Sequence, residues 1–273
     1  MKRIILATLA IACSFGLYAQ SQQVRMFAHR GGRAEFEENV LQTFIQCNKD
    51  GMNGFETDVR LSSDGVFVIS HDANMKRMYG VDCVIENTTF AELRKLRTPG
   101  GNRIMTLDEL LDFLKDKKNL YVEFEMKVTD VEAYPQDKLE RYCEDLFKKV
   151  MSAKPADATY LLTSFDTRAL RYLTVNHPEG DYLFISSSPV CDKTIGQAQA
   201  LGIKRIGCNL SGTSRAAVAE AHKQGLTVSL WPGNTVEDFG YGVYVGADFL
   251  CSDIPLQVLK YAEEKLTWVN LVH

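Results

Sequence analysis

Short apolar runs recur along the chain, separated by segments with helical periodicity. The runs are Val24–Ala28, Gly54–Val59, Leu120–Lys127, Thr159–Thr163, Tyr182–Ser186, Arg205–Cys208, Leu226–Trp231 and Ala247–Cys251. Between most of them lie amphipathic stretches: Val40–Asp50, Leu107–Leu114, Gln136–Met151, Thr167–Val175, Asp192–Leu201, Ser214–Gln224 and Val236–Val245. Pro255 then opens a last helix over Leu256–Leu266. Gly51, Gly202, Gly225 and Gly246 each follow a helical segment, where helices commonly end. Strand–helix alternation predicts a parallel β/α architecture. Eight such units in roughly 250 residues favour a closed TIM (β/α)8 barrel over an open sheet. The segment Ser62–Thr106 is too long for an ordinary connection. It is predicted as a small insertion after the second strand, beginning with a hairpin that turns at Asp64-Gly65.

The first twenty residues break this pattern. Lys2 and Arg3 precede an apolar run, Ile4–Leu17, which ends near the small residue Ala19 before polar Gln20-Ser21-Gln22-Gln23. The run is too short for a membrane span and has the layout of a secretory signal peptide, residues 1–20. One barrel domain over residues 24–273 remains, and the protein is expected to be exported, periplasmic or secreted. Cys13 follows Ala10-Ile11-Ala12, so lipoprotein anchoring is the alternative. No membrane association is expected unless Cys13 is lipidated. The six later cysteines, Cys47, Cys83, Cys143, Cys191, Cys208 and Cys251, form no CxxC pair, which argues against a zinc cluster. They read mostly as free, buried thiols. The net charge of −4 and the lack of a basic run exclude an extended nucleic-acid surface.

In a barrel of this kind chemistry sits at the C-terminal strand ends, and polar residues gather there. His29-Arg30 ends the first strand, Glu56 and Asp58 the second, and Glu123, Glu125 and Lys127 the third. Ser164 follows the fourth, Trp231 ends the seventh, and Ser252-Asp253 follows the eighth. Residues i and i+2 of a strand share a face, so Glu56 and Asp58 point the same way. Two hard oxygen ligands side by side suit Mg²⁺ or Ca²⁺. His29 and His71 flank them and offer a general acid and a general base. Glu123 shares the face of Glu125 and Lys127, where it can pair with Lys127 or reach a metal indirectly.

His29-Arg30-Gly31, Glu38-Asn39, Glu56-x-Asp58, His71-Asp72, Glu125-x-Lys127, Ser164-Phe165 and Trp231-x-x-Asn234 together resemble the glycerophosphodiester phosphodiesterase family, over about His29 to Pro255. The resemblance implies a TIM barrel, one divalent cation (Ca²⁺ or Mg²⁺), and hydrolysis of a small-molecule glycerophosphodiester to an alcohol and glycerol 3-phosphate. It implies Glu56, Asp58 and Glu125 as metal ligands, with Glu125 chosen over Glu123 because it lies two residues before the lysine. It implies His29 and His71 as the acid–base pair, with His29 favoured as acid, although the sequence does not fix which is which. Arg30 and Lys127 are the expected phosphate-binding cations, and Trp231 is expected to pack on the substrate, with Phe36 and Tyr79 as weaker aromatic candidates. Three carboxylates, a divalent cation and a phosphodiester sum to −2, which Arg30 and Lys127 balance. Asn39 is expected either to reach the metal shell or to cap the helix that follows. The sequence carries Glu37-Glu38-Asn39-Val40 where the family usually has Pro-Glu-Asn-Thr, and Trp231-Pro232-Gly233-Asn234 where it has Thr-Val-Asn after tryptophan. These departures touch the rim and bear on substrate choice. Two other readings are open: a phospholipase D-type lipid phosphodiesterase on the same barrel, and a catalytically inactive module that binds sugar phosphates.

Overall fold

The computed structural model describes residues 22–273, so the predicted signal peptide and Cys13 lie outside the described residues. The strands are β1 (Gln22–Ala28), β2 (Gly54–Leu61), β3 (Phe67–Ile69), β4 (Met105–Thr106), β5 (Tyr121–Met126), β6 (Thr159–Ser164), β7 (Tyr182–Ile185), β8 (Arg205–Asn209), β9 (Thr227–Gly233), β10 (Phe249–Ser252) and β11 (Val269–Val272). The helices are α1 (Leu41–Lys49), α2 (Lys76–Tyr79), α3 (Phe90–Leu93), α4 (Leu107–Leu114), α5 (Gln136–Ser152), α6 (Thr167–Asn176), α7 (Asp192–Ala200), α8 (Arg215–Lys223), α9 (Val236–Val245) and α10 (Pro255–Lys265). Strands β1, β2 and β5 to β10 are the eight predicted from the apolar runs. All their mutual pairings are parallel, and a β1–β2 contact at Ala28 and Phe55 closes the ring. Gly54 opens β2 at this closure because a Cβ there would lie 2.7 Å from the Met26 carbonyl oxygen.

Strand parity divides the side chains between two cores. One set, including Val24, Met26, Phe55, Val59, Phe124 and Leu162, packs outward against the apolar stripes of the helices. The other, Phe27, Tyr121, Leu161, Leu183, Ile185 and Cys251, fills the lumen. The register pairs Gly54 with Tyr121, Glu56 with Glu123 and Asp58 with Glu125. Four acidic residues from two adjacent strands therefore enter one lumen.

The insertion after β2 is present as expected. Antiparallel β3 follows β2, and β4 pairs on β3. The segment has a small core of its own, Val68, Met75, Ile85, Leu93 and Ile104. Two features were not visible in the apolar runs. The two-residue strand β4 is one. The other is β11, which pairs with the first half of β1, residues Gln22–Arg25, while β2 reaches only the far end of β1. The six cysteines are free, four buried and two partly exposed, as expected. Among the described residues no helix is long and apolar enough to cross a membrane.

Candidate active site

The lumen opens at the C-terminal strand ends into a cavity of about 160 Å³. Its charged side holds His29, Arg30, Glu56, His71, Glu125 and Lys127, and its other side is formed by Phe165, Leu183, Ile185 and Trp231. A larger surface cavity of about 590 Å³ lies around Asp181 and Lys204, at the opposite end of the barrel, and contains none of these groups. The smaller cavity is lined by His29, Arg30, Glu56, His71, Glu125, Lys127 and Trp231, while Asp58 is fully buried and does not line it. Phe36 and Tyr79 do not line it, and Tyr79 packs on the insertion core instead.

Oxygen atoms of Glu56, Asp58 and Glu125 lie within 4.8 Å of one another, and all three residues are buried. Glu56 and Asp58 are each held through one oxygen, with no hydrogen bond on the other. Glu56 Oε2 accepts the Arg30 backbone N–H at 3.1 Å, and Asp58 Oδ2 accepts from Asn39 Nδ2 at 2.8 Å. Glu56 Oε1 and Asp58 Oδ1 are buried with no hydrogen-bond partner. Unpartnered carboxylate oxygens in a protein interior cost several kcal/mol unless a cation meets them. Their convergence fits an all-oxygen site for a hard divalent ion.

The surroundings polarise the three acids differently. Burial, followed by the charges of Asp58 and Glu125, pushes the Glu56 pKa well above the ordinary carboxylate range. Burial also raises Glu125, against the pull of Lys127. Burial would raise Asp58 too, but Lys127, Arg30, His71 and the Asn39 hydrogen bond outweigh it and hold Asp58 well below its usual value. Asp58 therefore stays ionised and anchors the cluster. Lys127 Nζ bonds Glu125 Oε1 at 2.7 Å and lies 3.6 Å from Asp58 Oδ1.

Glu123 does not pair with Lys127. One layer deeper in the lumen, it accepts the Tyr121 hydroxyl at 2.5 Å, and burial pushes its pKa up to about 7. The acids that Lys127 Nζ meets are Glu125 and Asp58. Asn39 does not cap α1, whose N-cap is Val40 with no side-chain cap. Asn39 instead takes a left-handed conformation, φ 56°, and turns its amide inward to Asp58, with Thr57 Oγ1 donating to its Oδ1 at 3.1 Å.

Each histidine is backed by an aspartate. His29 Nδ1 lies 2.5 Å from Asp253 Oδ1, and its Nε2 is 3.8 Å from Glu56 Oε2. His71 Nδ1 lies 2.7 Å from Asp72 Oδ1. A carboxylate on Nδ1 fixes the tautomer and leaves Nε2 facing the cavity for proton transfer. Burial lowers the His71 pKa below its ordinary value, so its neutral form prevails at neutral pH. Neither aspartate was assigned a role from sequence. Asp72 carried a signal by adjacency, whereas Asp253 lies 224 residues from His29 and meets it only through barrel closure. Trp231 and Phe165 meet edge to face, with centroids 5.7 Å apart, on the apolar side.

A profile of the glycerophosphoryl diester phosphodiesterase family matches residues 29–257. The chain belongs to this family. It is 22% identical over 251 residues to a glycerophosphodiester phosphodiesterase of Bacillus altitudinis, an alignment covering 88% of this chain and 98% of that protein. A Silicibacter pomeroyi DSS-3 structure superposes with a TM-score of 0.83 at 22% identity, covering 92% of this chain and 96% of that one. A phosphodiesterase from Oleispira antarctica, solved with the product sn-glycerol-3-phosphate, superposes with a TM-score of 0.79 at 22% identity, covering 88% and 96%. Family membership and the closed barrel agree with what the strand-end motifs imply.

Proposed function

We propose that the protein hydrolyses glycerophosphodiesters to an alcohol and glycerol 3-phosphate, with one divalent cation, Ca²⁺ or Mg²⁺, held by Glu56, Asp58 and Glu125. The observation that carries this reading is the pair of orphaned oxygens, Glu56 Oε1 and Asp58 Oδ1, between two aspartate-backed histidines. Family membership and the product carried by the Oleispira antarctica relative support the substrate class.

A bound cation would neutralise the carboxylates and polarise a phosphate oxygen. The chain's own residues do the rest. Arg30 and Lys127 meet the phosphate charge from opposite sides of the acidic cluster. His71, neutral at rest, accepts a proton at Nε2 from the attacking hydroxyl, which belongs either to water or to the substrate's own glycerol; the second route gives a cyclic phosphate that water then opens to glycerol 3-phosphate. His29 delivers a proton from Nε2 to the departing alkoxide, and Asp253 on its Nδ1 holds the ring in place. Trp231 and Phe165 shield the organic end of the substrate from water. Residues 1–20 are proposed to direct export, which assay of culture supernatant and periplasm checks.

The test is alcohol release from a panel of glycerophosphodiesters, with and without EDTA, on the wild type and on His29→Ala and His71→Ala. Turnover that EDTA abolishes and Ca²⁺ or Mg²⁺ restores is the expected result. Chelator-resistant hydrolysis would defeat the metal assignment. Absence of turnover on every diester in added cation would favour a binding module.

A further inference from the structure

Arg77 was not singled out by its sequence. It lies on α2, in the insertion, and its side chain is 47% exposed. Its guanidinium nevertheless joins two buried or half-buried acids that belong to different parts of the site. Nε donates to Asp72 Oδ2 at 2.5 Å, while Nη1 and Nη2 fork onto Glu38 at 3.0 and 2.5 Å. Asp72 turns its other oxygen to His71 Nδ1 at 2.7 Å. Glu38 Oε1 also accepts from Arg30 Nη1 at 3.2 Å, and Arg30 Nε stands 3.5 Å from Asp58 Oδ2 with no hydrogen-bond partner. One unbroken series therefore runs His71, Asp72, Arg77, Glu38, Arg30, Asp58.

An exposed ion pair usually contributes little. This one differs because its carboxylate is buried and its geometry bidentate. Arg77 takes two of the three guanidinium bonds to Glu38, which leaves Glu38 only a single bond to Arg30. Without Arg77, Glu38 would turn wholly to Arg30 and hold it away from the phosphate, and Asp72 would be free to rotate off His71.

We propose that Arg77 is a positioning residue that fixes His71 through Asp72 and, through Glu38, keeps Arg30 available to the substrate phosphate. The proposal rests on the hydrolytic reading above. It gives α2 a part in the reaction beside His71, because Arg77 ties the proton-transfer group to the phosphate-binding group.

Steady-state kinetics at saturating cation test it on the full-length protein, with thermal melting as the folding control. Arg77→Met is expected to lower kcat and raise KM together, reducing kcat/KM by about 10²-fold. Adding Glu38→Gln to Arg77→Met is expected to return KM toward the wild-type value while kcat stays low, a split that a merely structural role would not produce. Arg77→Lys, which reaches one carboxylate but not both, is expected to restore one parameter only. Unchanged kinetics in Arg77→Met, full rescue by lysine, or no KM recovery in the double variant would overturn the proposal. Wild-type turnover is the separate control for the hydrolytic reading. If it is absent, calorimetric binding of sn-glycerol 3-phosphate still decides the Arg77 role, since Arg77→Met must weaken it and the double variant must recover it.

Discussion

Asn39 holds a left-handed backbone that few non-glycine residues tolerate, and it does so in order to turn its amide onto Asp58. Asn39→Ala removes that hydrogen bond and keeps the strain, so metal affinity is expected to fall by about 10–100-fold, read by calorimetric Ca²⁺ or Mg²⁺ titration. On the proposed proton-transfer role of the two histidines, His29→Ala and His71→Ala should each lower kcat by about 10²–10⁴-fold. Burial lowers the His71 pKa, so the neutral base survives to lower pH than an ordinary imidazole would. The acid limb of the kcat/KM profile is therefore expected below about pH 6.5. At this scale the acidic cluster and both histidines were legible, because strand parity puts Glu56 with Asp58 and Glu123 with Glu125 on one face, and the family resemblance singles out Glu125 and the histidine pair. Asp253 and Arg77 were not, since the contacts that give them meaning are made across the closed barrel and across the insertion.

Among the elements, the eight barrel strands announced themselves as apolar runs because both faces of each are covered, one by helices and one by the lumen. Strand β11 carried no such signal. It is only partly buried, and the exposed Trp268 precedes it. Its role is to pair with the half of β1 that β2 does not reach, and His273 adds a bond from Nδ1 to the Gly51 carbonyl at 2.9 Å. Deleting residues 267–273 exposes those backbone groups, at about 0.5–1.5 kcal/mol for each hydrogen bond lost. A drop of several degrees in Tm with kcat retained is expected, because the deletion lies at the end of the barrel away from the mouth. Glu37 makes a comparable tie on the mouth side. It accepts from Thr98 Oγ1 at 2.7 Å, Gly100 N–H at 2.7 Å and Asn102 Nδ2 at 2.6 Å, joining the first loop to the end of the insertion. Glu37→Ala should make residues 95–104 more sensitive to limited proteolysis, scored by fragment mass.

Over the whole molecule two sets of acids pull stability in opposite directions. Burial raises Glu56 and Glu125, and raises Glu123 to about 7, so the folded state binds these protons more tightly than the unfolded chain. Their effect is to lower stability as pH rises from the unfolded carboxylate value toward and through neutrality. Glu38, Asp72 and Asp253 resist the same desolvation because Arg77, Arg30, His71, His29 and Arg33 outweigh it. Their contribution is present above the unfolded value and disappears as pH falls below it. The metal-free protein should therefore melt highest near the unfolded carboxylate value, at about pH 4–4.5, and lose Tm as pH rises through 7. Added Ca²⁺ should raise Tm far more at pH 8 than at pH 5, because ligand protons compete with the ion; equal shifts at both values would contradict the triad as the binding site. The direction of β1 has a practical consequence. Strand β1 enters at the base, beside β11, and runs to His29 at the mouth, seven residues or about 23 Å away. A support joined directly at Gln22 therefore meets the end opposite the mouth and holds the enzyme with its open end turned toward the substrate solution.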